Sequence, residues 1–201
     1  MKGKKLNDYT EETTNTQVST IGNHIYFYTD VSISSALQLN KTIKELSTEI
    51  ISNKTFDDDI YEDSDTKTSY NPIYLHINSL GGCFFSCLSI VDTIRTCKVP
   101  IYTIGEGQIA SAASIILLAG KKRFMTLNSY ILIHELRTSV HGTFSNLEDD
   151  YENSKILMKQ MKDFYKKHSK ITNSVLNTML KKDVYLDAKT AKKYGFVEKI
   201  L

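Results

Sequence analysis

The chain has 201 residues, which suffice for one domain with a sizeable core and are too few for two ordinary domains. Its 41% hydrophobic and 24% charged residues are typical of a globular protein and exclude disordered and fibrous classes. The net charge is only +2 with scattered basic residues, so we predict no nucleic-acid partner, and no apolar run reaches the roughly 20 residues that span a membrane.

Residues 1–20 are polar and show no hydrophobic period, which predicts a mobile arm ahead of one domain over residues 21–201. The same start lacks the apolar centre of a signal peptide. We therefore expect a cytoplasmic protein, or one of the stroma or matrix if it is encoded in an organelle. A β-prone run at 25–28 predicts a strand, and apolar residues spaced four and three apart over 33–50 predict a helix.

Residues 53–70 are dense in acidic side chains, which predicts an exposed loop because such a segment cannot pack into a core. Acidic clusters also bind hard cations, but the regular spacing and central glycine of a calcium loop are absent from this sequence. A strand at 73–77 follows, and the turn Asn78-Ser-Leu-Gly-Gly82 leads into a helix over 83–96.

Three cysteines, Cys83, Cys87 and Cys97, lie in or beside this one predicted helix. An odd number cannot all pair within the chain, so a reducing compartment is expected. Cys83 and Cys87 are four residues apart and could bind a metal from one helical face, but no second pair of ligands completes the set nearby. We interpret the cysteines as small buried hydrophobic residues and predict no metal site.

A third strand is predicted at 101–104, with Gly105-Glu-Gly107 as the segment that ends it. Ser111 then opens an apolar helix that runs to Leu118 and closes at Gly120. A fourth strand at 130–133 leads directly to His134.

The last third of the chain is predicted to be mainly helical. A long helix over 145–168 begins at the capping-box motif Ser145-Asn-Leu-Glu148. A shorter helix follows at 174–180, then a helix over 187–194 and a last strand at 196–197. Strands that alternate with helices predict an α/β fold with largely parallel pairing.

In such a fold, sites form where strands end and helices begin, because backbone N–H groups point outward there. Ser111 occupies such a turn, although serine is also a favoured helix N-cap. A histidine base would activate the serine hydroxyl, and a carboxylate would orient the imidazole, so Ser111, His134 and Asp183 would form a nucleophile, base and orienting acid if the fold brought them together. The backbone N–H groups of Gly82 and Ala112 would then hold the oxyanion.

Four ordered segments carry four of these candidate residues. In chain order they are Ile73-Tyr-Leu-His-Ile-Asn-Ser-Leu-Gly-Gly82, Gly107-Gln-Ile-Ala-Ser111, Lys122-Arg-Phe-Met-Thr-Leu-Asn-Ser-Tyr-Ile-Leu-Ile-His134, and Asp183-Val-Tyr-Leu-Asp-Ala-Lys-Thr-Ala-Lys-Lys-Tyr-Gly195. They resemble the segments of the ClpP family, the proteolytic subunits of Clp proteases, that hold the first oxyanion donor, the nucleophile, the general base and the orienting aspartate. The resemblance covers about residues 25–201.

The resemblance implies a ClpP/crotonase-type spiral of ββα units in which the helix at 145–168 is a protruding handle. It further implies an endopeptidase that cleaves unfolded polypeptides inside a chamber of two stacked heptameric rings, a tetradecamer. A hexameric AAA+ unfoldase would feed the chamber and use the ATP, so this subunit would carry no cofactor. Ser111 would be the nucleophile, and Ser114, one turn further into the helix, a packing or capping residue.

The sequence also departs from the family pattern. Leu80 replaces the proline of the turn, and Glu135-Leu136 followed by Arg137-Thr-Ser-Val-His-Gly142 replaces Gln-Pro and a glycine-rich stretch after the histidine. The acidic segment at 53–70 is an insertion, and the N-terminal arm is reduced. Cleavage preference, the partner unfoldase and a bacterial, phage or organellar source therefore stay open. Two alternatives also stay open: a catalytically silent ring subunit, and a crotonase-type acyl-CoA enzyme.

Overall fold

The computed structural model describes residues 18–53 and 70–201. Most of the predicted arm and of the predicted acidic loop, residues 1–17 and 54–69, lies outside the described residues. The described strands are β1 (Val18–Ile21), β2 (His24–Phe27), β3 (Ile73–Ser79), β4 (Ile101–Ala110), β5 (Lys122–Met125), β6 (Tyr130–Leu132), β7 (Tyr185–Asp187) and β8 (Lys199–Ile200). The described helices are α1 (Ile33–Ser52), α2 (Phe84–Thr96), α3 (Ala112–Ala119), α4 (Phe144–His168), α5 (Asn173–Leu180) and α6 (Ala188–Lys193).

All eight described strands belong to one sheet, and its centre is parallel. The order along the sheet is β1-β2-β3-β4-β5-β8, with parallel pairing from β2 through to β8 and an antiparallel pair at β1 and β2. Farther along β4, its partner is β6, which pairs in turn with β7 in antiparallel orientation. These pairings confirm the predicted α/β fold.

Much of the core lies between this sheet and the first three helices, and α4, α5 and α6 add buried residues to it. The apolar stripe of α1 buries Leu39 and Ile43 completely, as its spacing predicts, and Ser32 caps the helix start. Every residue of α3 is buried, which agrees with its continuous apolar sequence. A helix that is apolar on all sides has to lie in the core. Because α3 begins directly after Ser111, its buried position also fixes the end of β4, where the site forms.

Strand β4 does not end at Gly105-Glu-Gly107 as predicted but continues to Ala110. Its first half pairs with β5 and its last three residues pair with β6, so the glycines lie where the strand changes partner. Gly107 has φ 63°, and a Cβ there would lie 3.0 Å from the side chain of Asn78. The glycine therefore permits a local bend without ending the strand.

Several boundaries differ from the predictions for similar local reasons. Residues 18–20, assigned to the arm, belong to β1, because Val18 is buried and the strand pairs with β2. The long helix begins at Phe144, one residue before the prediction, since Thr143 forms the capping box and Ser145 does not. The predicted last strand at 196–197 is wrong: these two residues are buried between elements, and the strand follows at Lys199–Ile200.

Candidate active site

The carboxyl ends of three neighbouring strands meet at one edge of the sheet. Near its end, β4 pairs with β3 through Ile109 and Ser79, and with β6 through Ala110 and Leu132. The glycine turn after β3, Ser111 after β4 and His134 after β6 therefore leave the sheet side by side. This edge is where ligand sites form in α/β folds.

Ser111 has a strained backbone, with φ 53° and ψ −124°. Among residues 18–53 and 70–201 it is the one non-glycine residue with positive φ. Such a conformation costs on the order of 1–3 kcal/mol and persists only where the surrounding structure enforces it. Here the Ser111 N–H donates to the carbonyl of Leu132 at 2.8 Å, which ties the strained residue to β6.

Ser111 stands at the N-cap position of α3, but its side chain does not cap the helix. An N-cap side chain accepts a hydrogen bond from the first turn, and its residue has an extended backbone. Neither holds for Ser111 within the described structure. The capping interpretation is therefore wrong, and the hydroxyl is left available at a sharp strand-to-helix turn.

A buried chain of hydroxyl groups supports the carbonyl side of Ser111. Ser114 Oγ donates to the carbonyl oxygen of Ser111 at 2.6 Å. Because a serine hydroxyl has only one hydrogen, the hydroxyl of Tyr165 is the donor in its 2.7 Å bond with Ser114 Oγ. Burial raises the pKa of Tyr165 well above its usual value, which keeps the phenol protonated. Helix α4 is thereby connected to the backbone of Ser111, and Ser114 is a buried positioning residue.

His134 follows β6 and lines the same cleft as Ser111. Its Nδ1 lies 2.6 Å from the carbonyl oxygen of Glu135, so Nδ1 carries the proton and donates it there. This hydrogen bond leaves the lone pair on Nε2, the tautomer that a general base requires. The segment itself is held by the Glu135 N–H, which donates to the carbonyl of Leu180 at 2.9 Å.

Asp183 does not contact His134 in this structure. Its carboxylate pairs with Arg137, whose Nη2 donates to Oδ1 at 3.0 Å and to Oδ2 at 2.8 Å. Asp183 is not one of the described residues that line the cleft. The structure thus brings Ser111 and His134 into one cleft and places the third predicted residue beside it.

The backbone nevertheless brings the segments that carry Asp183 and His134 close together. Strands β6 and β7 pair through Tyr130 with Asp187 and through Leu132 with Tyr185, where the ladder ends. His134 and Asp183 each lie two residues beyond that last pair. The register is not continued there, because the next backbone bond runs from the Glu135 N–H to the carbonyl of Leu180.

The two predicted oxyanion donors also border the cleft. Val31 bonds the carbonyl of Gly81 and the N–H of Cys83, so this bridge leaves the intervening N–H of Gly82 unused. The N–H of Ala112 belongs to the first turn of α3, where donors have no partner inside the helix. A Cβ at Gly81 would lie 2.7 Å from Cβ of Ser111, which explains why this turn requires glycine.

The cleft has a volume of about 890 Å³, and one of its walls is formed by α4. It includes Cys83, whose side chain is exposed, so the interpretation of the cysteines as buried residues is confirmed for Cys87 and wrong for Cys83. A hydrogen bond with the Ser86 side chain lowers the pKa of Cys83. The sequence does contain a signal for this position, because Cys83 directly follows the glycine turn that borders the cleft.

Other site types find no support in the described part of the chain. Residues 18–53 and 70–201 contain no group of three or more His, Cys, Asp or Glu side chains arranged to hold a metal ion. Over the same residues, no helix combines the length and the apolar character that crossing a bilayer requires.

A strained serine at a strand-to-helix turn, with a histidine on the neighbouring strand in the same cleft, is typical of serine hydrolases. A family model described as Clp protease matches residues 28–201. The chain therefore belongs to the Clp protease family, and its fold agrees with the ClpP fold that the sequence predicts.

One curated relative is the ATP-dependent Clp protease proteolytic subunit 2 of Treponema denticola. It is 38% identical over 138 residues, which cover 64% of this chain and 66% of the relative. The chain therefore aligns with just under two thirds of that protein.

Proposed function

We propose that the chain is the proteolytic subunit of an ATP-dependent Clp-type protease, a serine endopeptidase that cleaves unfolded polypeptides into short peptides. The observation that carries this proposal is the strained, uncapped Ser111 in one cleft with a histidine whose Nε2 is left free as a base. Membership of the Clp protease family and the similarity to a proteolytic subunit support it.

The chemistry is acyl transfer through Ser111. Nε2 of His134 takes the hydroxyl proton as Oγ attacks the peptide carbonyl carbon, and the imidazolium then protonates the leaving amine. The N–H groups of Gly82 and Ala112 hold the oxyanion, each contributing about 3 kcal/mol to transition-state stabilisation. Water, with His134 again as base, releases the peptide from the acyl-enzyme. Asp183 is the proposed orienting acid of the active arrangement.

The substrate is an extended peptide that lies along the cleft. Its backbone pairs with the segment that follows His134, a mode that tolerates many side chains. The segment after Gly82 offers no such edge, because it continues as helix α2. Apolar residues line much of the cleft and offer contacts to the peptide side chains: Leu80, Phe85, Ile115 and Leu157. No cofactor is needed in this subunit, because the reaction uses only its own side chains and backbone.

The working particle is proposed to be a tetradecamer of two heptameric rings, with α4 as the element between the rings. A hexameric AAA+ unfoldase delivers unfolded chains and hydrolyses the ATP. The reducing surroundings expected for three unpaired cysteines fit the cytoplasm, or the stroma or matrix of an organelle.

The test is covalent labelling of purified protein with a fluorophosphonate, together with hydrolysis of a short fluorogenic peptide. Wild type should label at Ser111, and Ser111→Ala and His134→Ala should lose at least about a thousandfold in rate. Ser174→Ala, which removes an exposed hydroxyl at the start of α5, is the matched control and should react like wild type. An assembled wild-type particle that neither labels nor cleaves would instead indicate a catalytically silent ring subunit.

A further inference from the structure

We propose that Arg137 is a positioning residue that competes with His134 for the carboxylate of Asp183 and so sets which acceptor orients the catalytic imidazole. This inference rests on the proposed function and deepens it. In the arrangement described here Arg137 holds Asp183, and the acceptor for His134 is the carbonyl of Glu135.

The geometry places the three side chains at one junction. Arg137 follows His134 by three residues, and His134 and Asp183 each lie two residues beyond Leu132 and Tyr185, the last pair of the β6–β7 ladder. Nη2 of Arg137 lies 2.8 Å and 3.0 Å from the two carboxylate oxygens of Asp183. Asp183 accepts no hydrogen bond from His134 while Arg137 holds both of its oxygens, so the carboxylate has to change its position before it can accept the Nδ1 proton of the ring.

The two acceptors for His134 are not equivalent. The Glu135 carbonyl fixes the tautomer, as the 2.6 Å bond indicates, but it is neutral and stabilises the imidazolium less than a carboxylate does. With the carbonyl alone, Ser111 has a correctly oriented but weaker base. With Asp183, the positive charge that forms on His134 during attack on the substrate is offset by a full negative charge.

The strength of the ion pair determines how far this competition can change the rate. The side chains of Arg137 and Asp183 are 69% and 60% exposed. An exposed pair of this kind shifts an equilibrium by at most about fivefold. Arg137 is therefore expected to tune the fraction of subunits with a complete triad, and it does not act as an on–off switch.

Four charged groups belong to the neighbourhood of His134 in the described structure. Glu135 is its neighbour in the chain, Arg137 and Asp150 line the cleft with it, and Asp183 is paired with Arg137 on the segment between α5 and β7. Removal of the Arg137 charge therefore frees the Asp183 carboxylate from the cation that holds it.

The experiment compares four proteins: wild type, Arg137→Gln, Asp183→Asn and the double variant. Arg137→Gln should label with fluorophosphonate roughly two- to fivefold faster than wild type, because it releases Asp183. In the Asp183→Asn background the same substitution should change the rate by less than about 1.5-fold, since no carboxylate remains to be released. Lys159→Gln, which removes one cation from an exposed ion pair on α4, should leave the rate unchanged.

A second measurement does not depend on catalysis. Diethyl pyrocarbonate modifies only the neutral imidazole, and a nearby carboxylate favours the protonated ring. Near neutral pH, Arg137→Gln should therefore slow modification of His134 roughly twofold relative to His141 in the same protein. The difference should be smaller in the double variant, because only the loss of the Arg137 charge then acts on the ring.

Equal effects of Arg137→Gln with and without Asp183, in labelling and in His134 modification, would overturn the proposal. Failure of the proposed function has a different signature: it requires that wild type does not label, or that labelling survives Ser111→Ala. In either case the His134 modification still decides whether Arg137 controls the position of Asp183.

Discussion

The backbone of Ser111 can be tested separately from its chemistry. Ser111→Gly and Ser111→Ala both remove the hydroxyl, but only glycine adopts φ 53° and ψ −124° without strain. Although glycine loses more entropy on folding, Ser111→Gly should be about 1 kcal/mol more stable than Ser111→Ala. Urea unfolding at matched protein concentration measures the difference. Equal midpoints, or a more stable alanine variant, would show that the turn is not strained.

At the scale of single residues, the sequence could predict residue types and order but not rotamers. His134 was placed at the sheet edge because it directly follows a recognisable strand. Ser111 was singled out by the resemblance of its segment to the ClpP family, since the strand before it was predicted to end at residue 104 and in fact runs to Ala110. The partner of Asp183 was not predictable. The choice between Arg137 and His134 depends on side-chain geometry in a segment that departs from the family pattern, and no periodicity encodes it.

Among the elements, the end of α4 carries a pH-sensitive contact. The pKa of His168 is lowered to about 4 by partial burial, and then by the nearby charges of Arg95, Lys167 and Arg123. The ordinary value is 6.5, so between pH 6.5 and 4 the unfolded chain binds more protons than the folded one. Stability should therefore fall as the pH drops through this window, by about 1 kcal/mol after allowance for solvent screening of a partly exposed ring.

Chemical denaturation at several pH values between 7 and 4 checks this prediction. His168→Gln should remove this component of the pH dependence, and Lys167→Gln should reduce it in part, because one of the three cations is lost while the ring remains. A His168→Gln protein that loses as much stability on acidification as wild type would show that the ring is already protonated in the folded state.

Helices were more predictable than strands, because amphipathic spacing identifies a helix from its own sequence. The spacing in α1 predicted its buried face. Strands β5 and β7 are only four and three residues long, and they form because neighbouring strands pair with them. The continuation of β4 beyond Gly107 depends on its change of partner from β5 to β6. Such non-local pairing leaves no signal within the strand itself.

For the whole molecule, α4 divides into an anchored half and an uncovered half. Near its end Met161 and Tyr165 are buried against the core, while three apolar residues of its first two turns are exposed in the single chain. They are Phe144 at 74%, Leu147 at 45% and Tyr151 at 66%, spaced three and four apart on one face. An apolar stripe of this kind is typical of a contact surface, in agreement with the proposed role of α4 between the rings.

If this stripe joins two rings, charge on it should separate them. The double variant Leu147→Asp/Tyr151→Asp should convert a particle near fourteen times 22.8 kDa into one of about half that mass, measured by mass photometry, since carboxylates cannot be buried without partners. Gln160→Asp adds the same type of charge to the anchored half and should leave the particle intact. Far-UV circular dichroism establishes that α4 stays helical in each protein.

Because the same helix forms a wall of the cleft and connects to Ser111 through Tyr165 and Ser114, separated rings should also label more slowly with fluorophosphonate. An intact particle in the double variant would place the seam elsewhere. Half-sized particles that label at the full rate would show instead that assembly and the active site are independent, with the Tyr165–Ser114 contact sufficient to hold Ser111 in a single ring.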